Sequence, residues 1–455
     1  MQMKIACILA ALIVLPVAGC GDDDESFGPG ENTRLEITSD PSGANIELDG
    51  LTTGRTTPTT IFDIGGRHDV VVRLDRDGIS YGYRTEIDVR GDSLHRVTGP
   101  LMFRCSNTTC LLGAARNRDF GRLRISTQAN GALFMKSGQG EGLLWPLGTS
   151  NSHASMGMPM IAMLSGTRDT LALGIYDTHY LAGRPEPVLQ TNAERTTLRQ
   201  STWIVPPTNV ITSNAPTVRG IEVEEELIGS PDSEIVFLRL TFRNITDRET
   251  YRAADPVVPS GGLRFDNVYV GFALDPDIGA SGDDMITYEP GLDLVYAYDY
   301  NFFEEIFNSA QTAAPGMVGL KIVEMPAGAT SKALNGWPGE FGVGSGDWAA
   351  GENTERGGYS MISGLRSLPP DYAGQLIGHT PTMPNDFRIS VGAGPITLGP
   401  GQSTTITVAI IVAAPVETEY TPGQPVAPGD PSVADRQITR VAATLLNRAR
   451  NLTIP

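Results

Sequence analysis

The chain has 455 residues, 40% of them hydrophobic and 19% charged, with a formal net charge of −18 and four cysteines. That balance excludes a disordered chain, and the acidic surplus excludes attraction to nucleic acid or anionic lipid through overall charge. With 52 glycines, 32 prolines and few long stretches of helical period, the expected elements are short strands joined by turns, in a chain long enough for two or three domains.

Met1 to Lys4 form a short basic start, Ile5 to Val17 an apolar run broken only by Pro16, and Val17-Ala18-Gly19 place small residues before Cys20. The run is shorter than the roughly 20 residues of a spanning helix, so residues 1–19 read as an export signal cut at Cys20. An ordinary secretory signal with an incidental cysteine is the alternative. The pattern resembles the bacterial lipoprotein signal, the lipobox. That resemblance implies that the Cys20 thiol receives a diacylglycerol and becomes the new N-terminus. Two or more acyl chains anchor stably, so the expected location is the cell envelope, with a membrane as partner through the lipid. Asp22 lies one place beyond the position where an acidic residue resembles an inner-membrane retention signal, which favours the outer membrane. Residues 20–33 are acidic, contain Gly and Pro, and read as a flexible tether.

Residues 34–99 form a small β unit. Leu35 and Ile37 alternate with polar neighbours, as do Ile46 and Leu48, and Asp49-Gly50 signals a hairpin. Val70, Val72 and Leu74 make a third strand, and Ile87 and Val89 begin a fourth. Ser39-Asp40-Pro41-Ser42-Gly43-Ala44, Ile46-Glu47-Leu48-Asp49-Gly50, Gly54, Thr57-Pro58 and Gly66-Arg67-His68-Asp69-Val70 together resemble a PEGA domain. The departure is Arg76 to Tyr81, which reads as a longer, more polar link after the third strand. The resemblance implies a small extracytoplasmic β-sandwich without catalytic machinery. His68, a lone histidine before a strand, reads as structural or solvated.

Residues 100–415 read as the main body, an antiparallel β-sandwich or two in series. Cys105 and Cys110 are expected to form a short-loop disulfide in an oxidising compartment, with free thiols as the alternative. Strand-like runs recur, among them Gly131 to Met135. The best hairpin joins Val218–Ile228 to Glu234–Asn244; in its second arm Val236, Leu238, Leu240 and Phe242 share one face, and Ile235, Phe237, Arg239 and Thr241 the other. Residues 327–386 lack clear periodicity and read as a long loop, in which Trp337 and Trp348 either stack on sugar rings or plug the end of the sandwich. Residues 416–431 read as a Pro/Gly linker. Residues 432–455 hold a C-terminal helix over 433–450, with Ile438, Val441, Ala442, Leu445 and Leu446 at helical spacing, expected to dock on the sandwich. The body also resembles exported β-proteins of environmental bacteria through Val268-Tyr269-Val270-Gly271, Asp283-Asp284 and Gly399-Pro400-Gly401-Gln402-Ser403; that resemblance implies no activity.

The acidic run Asp275-Pro276-Asp277 to Asp283-Asp284 is the strongest candidate for chemistry, because calcium takes roughly six to eight oxygens from a turn that can wrap it. Gly279 and the missing closing Glu depart from an EF-hand. The alternative is aspartates bonded to backbone amides, and Asp299 is a possible later contributor. No metalloprotease H-E-x-x-H, nucleophile elbow, Walker loop or dinucleotide fingerprint occurs. Asp177-Thr178-His179 sets an acid near a histidine without an identifiable nucleophile. The expectation is therefore a non-catalytic, lipid-anchored envelope protein, structural, adhesive or ligand-binding, with polysaccharide or another envelope protein as partner and no cofactor beyond structural calcium. A glycan hydrolase using paired carboxylates and a calcium-stiffened surface spacer are the other readings.

Overall fold

A computed structural model describes residues 33–40, 42–76, 79–90, 94–100, 102–103, 115–128, 131–136, 140–165, 168–173, 180–182, 188–204, 220–248, 259–304, 307, 315–338, 359, 362–363, 383–425 and 437–455. Cys20, Cys105, Cys110, Trp348 and the Asp177–His179 segment lie outside the described residues. Among the described residues no helix is long and apolar enough to cross a membrane.

The first unit comprises β1 (Arg34–Asp40), β2 (Asn45–Leu48), β3 (Leu51–Thr56), β4 (Thr59–Phe62), β5 (Gly66–Arg76), β6 (Ile79–Val89), β7 (Leu94–Pro100) and β8 (Met102–Phe103). They form two sheets, β4-β1-β7 and β3-β2-β5-β6-β8, and β1 runs parallel to β7. Alternation decides the core: Leu35, Ile37, Ile46, Val70, Val72, Val89 and Val97 are buried between the sheets. Asp49 and Gly50 both take positive φ, 52° and 77°, as a two-residue hairpin turn requires. The stretch read as a long polar link is instead hairpin: Arg76 pairs with Ile79 and Leu74 with Tyr81.

The body comprises β9 (Arg116–Phe120), β10 (Leu123–Thr127), β11 (Leu143–Leu144), β12 (Met156–Ser165), β13 (Arg168–Leu173), β14 (Tyr180–Ala182), β15 (Val188–Thr191), β16 (Thr196–Ile204), β17 (Ile221–Gly229), β18 (Ile235–Asn244), β19 (Phe265–Asp275), β20 (Asp284–Glu289), β21 (Leu294–Asp299), β22 (Met317–Glu324), β23 (Ser331–Pro338), β24 (Phe387–Leu398) and β25 (Ser403–Ala413). One sheet runs β14-β16-β17-β18-β25-β22-β21-β20, with β15 also on β16; the other runs β13-β12-β19-β24-β23. Leu133 bridges both Thr127 and Gly157, which ties the small sheet β11-β10-β9 to the second layer. Residues 131–136 make these bridges without forming the strand expected there.

These strands make one sandwich. Val236, Leu238, Leu240 and Phe242 of β18 and Ile406, Val408, Ile410 and Val412 of β25 face Val268, Val270 and Phe272 of β19 and Ile389 and Val391 of β24. The alternate residues Phe237, Ala409 and Ile411 lie on the opposite, outer face. There helix α1 (Ala443–Arg450) lays Leu445, Leu446 and Ala449 against Tyr296, Tyr298 and Met317. Residues 437–441 are also helical, and the packing surface extends to Ile438, Val441 and Ala442. The start of the expected helix, up to residue 436, is outside the described residues. Arg448 bonds the Val412 carbonyl and pairs with Glu234 at 2.5 Å, fixing the helix end.

Two other expectations are corrected. The 327–386 stretch contains β23, whose Ala333, Asn335 and Trp337 are buried in alternation, with register set by β24. Asn335, Gly336 and Pro338 are poor strand formers that obscured this period. The 416–431 stretch is no free linker over its described part, since Val416 N–H donates to Val441 and the Tyr420 ring packs on Phe302 at 4.8 Å.

Candidate functional site

The acidic run lies where the two sheets meet. β19 ends at Asp275, a single turn of 3-10 helix (Ser281–Asp283) leads into β20, and the Asn385 N–H donates to the Asp284 carbonyl, linking the approach to β24 with β20. Folding divides the run. Asp275 and Asp277 join Asp386, with one oxygen of each within 4.8 Å of the others; Asp283 joins Asp299 and Glu304 within the same span. The single wrapping turn expected from Asp275, Asp277, Asp283 and Asp284 does not form, because β19 and β20 belong to different sheets.

The first group carries its own counter-charge. Arg388 stands 3.2 Å from Asp275 Oδ2 and also pairs with Asp386, while Ser155 Oγ donates to Asp275 Oδ2 at 2.9 Å. Burial pushes the Asp275 carboxyl up to about 7, with the Asp277 charge adding to the effect and Arg388 opposing it. The cavity beside Asp275, Trp337 and Arg388 measures about 10 Å³. Such a space holds about one water.

The second group is built by register and by the loop after β21. Asp284 and Asp299 stand directly across from each other, on the face turned into the sandwich. Asp299 Oδ1 accepts the N–H groups of Asn301 (2.9 Å) and Phe303 (3.0 Å), and Tyr300 N–H donates to the Asp283 carbonyl (2.9 Å). This curl returns Glu304 onto Gly279. Gly279 has φ +74°, and a Cβ there would lie 2.2 Å from the Glu304 carboxyl carbon. Burial raises the carboxyl groups of Asp283 and Asp284, of Asp299 to about 6 and of Glu304 to about 7. Among the described residues no lysine or arginine pairs with these four.

A third arrangement lies on the outer face beyond α1. Arg199, Glu226 and Arg239 stand side by side across β16, β17 and β18. Arg199 Nε and Arg239 Nη1 each donate to Glu226 at 2.8 Å. With Glu224 and Thr241 they line an open cleft of about 350 Å³. Directly beneath, on the core face, Glu225 is 1% exposed and accepts from Gln200 Nε2 at 2.8 Å; burial pushes its carboxyl up to about 8.

Trp337 is wholly buried, so its ring is closed to a sugar arriving from solvent. His68 bonds Asp49 Oδ2 through Nδ1 at 2.7 Å and holds the hairpin; this bond and the Asp69 N–H keep the Asp49 carboxyl below its usual range. Asp386, Arg388 and Glu304 were missed from sequence. None belongs to a local motif; strand pairing brings the first two to the run, and the curl after β21 brings Glu304.

The family model of the PEGA domain matches residues 32–102. No curated protein matches the chain. Similar solved structures include an Escherichia coli K12 protein assigned as an aldose 1-epimerase, 11% identical over 66% of this chain and 99% of that one, with a TM-score of 0.28. Others are the Aspergillus nidulans amine oxidase, 9% identical over 87% of this chain and 71% of that one, TM-score 0.27, and the Geobacillus stearothermophilus GH36 α-galactosidase AgaA, 10% identical over 66% and 40%, TM-score 0.26. At such scores none of their activities carries over.

Proposed function

We propose that this chain is a non-catalytic protein of the bacterial cell envelope, anchored through acylated Cys20, whose sandwich body binds polysaccharide. The observation that carries this reading is the PEGA match at residues 32–102, since PEGA is a generic extracellular β domain and here follows an acidic stretch behind Cys20. The outer membrane is the membrane proposed. The cleft between Arg199, Glu226, Arg239 and Thr241 supplies the binding surface. Its volume falls in the range of small-ligand sites, and its arginine and carboxylate groups suit the hydroxyls of a sugar chain. The buried carboxylates at Asp275 support a non-catalytic role, since the cavity beside them has no room for a sugar ring.

Two measurements on the full chain test this. Cells given labelled palmitate should label the mature protein, and Cys20→Ser should abolish the label. On an array of envelope polysaccharides, Arg239→Ala should weaken capture at least about tenfold, the loss expected for one charged hydrogen bond. An unlabelled mature chain would overturn the anchor, and capture indifferent to Arg239→Ala the cleft.

A further inference from the structure

The group on the β20 side of the junction has an unusual inventory. Asp299 is fully buried and Asp284 is 1% exposed. Asp284 Oδ2 accepts the Ile278 N–H, but Asp284 Oδ1 has no hydrogen-bond partner. Asp299 Oδ2, Asp283 Oδ1 and Asn301 Oδ1 are buried with no N–H or hydroxyl donor to accept from, and the Asp299 and Glu304 carboxyl groups lie within hydrogen-bonding reach of each other. All four orphaned atoms are oxygens. Asn301 adds a neutral acceptor that acid–acid proton sharing does not require. Among the described residues no lysine or arginine reaches these oxygens, and an ionised carboxylate buried without a counter-charge is strongly disfavoured.

We propose that Asp283, Asp299 and Glu304 bind a divalent cation, with the side-chain oxygens of Asp284 and Asn301 completing its shell. The donors select calcium: all are oxygens, four are carboxylates, and among the described residues no cysteine or histidine joins them. The geometry supports this independently of the acid count. Asp284 faces Asp299 across the strand pair, the Asp299 loop is wound by two backbone N–H groups, and Gly279 leaves room for the Glu304 carboxylate. A cation there would tie the β20 turn to the loop after β21. The neighbouring Asp275, Asp277 and Asp386 are no second site, because Arg388 and Ser155 already supply their positive charge and donor. The proposal depends on neither the lipid anchor nor the outer cleft, so its failure would leave the envelope reading standing.

The test uses the full chain stripped with EGTA, titrated with calcium chloride by calorimetry and melted with and without the metal. One calcium per chain and a higher melting temperature are expected. Asp283→Asn and Glu304→Gln should each weaken binding at least about tenfold, because affinity follows the number of charged ligands. Asp277→Asn should leave binding unchanged. If Glu304→Gln does not fold, Asp283→Asn, on a partly exposed turn, carries the test. Absence of binding heat with an unmoved melt would overturn the proposal. So would full affinity in Asp283→Asn, equal loss in Asp277→Asn, or tighter binding of magnesium than of calcium.

Discussion

At the junction of the two sheets, Asp275 and Asp386 face Arg388, whereas among the described residues no lysine or arginine pairs with Asp283, Asp299 or Glu304. Both groups draw on one short acidic run, and each has a buried carboxylate at its centre, Asp275 in one and Asp299 in the other. On one side the chain supplies the counter-charge from β24, 113 residues on from Asp275; on the other it supplies backbone N–H groups to Asp284 and Asp299 and leaves further oxygens unpaired. A buried carboxylate must keep its charge beside a cation or give it up to a proton, and the two sides show that neighbours in sequence can meet this demand differently.

The comparison can be broken most forcefully at Arg388. Arg388→Met should destabilise the chain by about 3–5 kcal/mol in denaturant titration, since it leaves Asp275 and Asp386 unpaired. Added calcium should not restore the loss; restoration would make the first group a cation site too. Glu225 sharpens the comparison as a buried carboxyl with only an amide partner. Its folded-state value, about 8, lies above the ordinary 4.5, so the folded chain holds a proton that the unfolded chain releases between those values. Stability from this group is therefore full below about pH 4.5 and is lost as pH rises through 8. Glu225→Gln should remove roughly 4 kcal/mol of the fall between pH 5 and pH 8.5, seen as a flatter melting profile than the parent's. Gly279→Ala should cost about 2 kcal/mol, from its positive φ and its overlap with Glu304, measured by melting in EGTA. Ser155→Ala should cost about 1 kcal/mol by removing one donor to Asp275, and calcium should leave that difference as it is.

Much of the sandwich was legible because period two survives wherever one face is buried. Val236, Leu238, Leu240 and Phe242 were assigned one face from sequence and occupy the inter-sheet core. Asp49-Gly50 marked its hairpin through a backbone requirement local to two residues. Ile438, Val441, Leu445 and Leu446 marked a helix face that does pack on the outer sheet. β23 escaped notice because Asn335, Gly336 and Pro338 blur its alternation, and its partner β24 lies some fifty residues downstream.

Composition, alternation and turn residues were enough to establish an all-β chain, its first small sandwich and its terminal helix, because each expresses a preference acting within a few residues. Which acids meet was settled elsewhere. The pairing of Asp284 with Asp299, the curl that brings Glu304 onto Gly279 and the arrival of Arg388 beside Asp275 depend on which strands become neighbours. That is decided by burial of the whole inter-sheet core, a sum over both layers that no local window of residues contains.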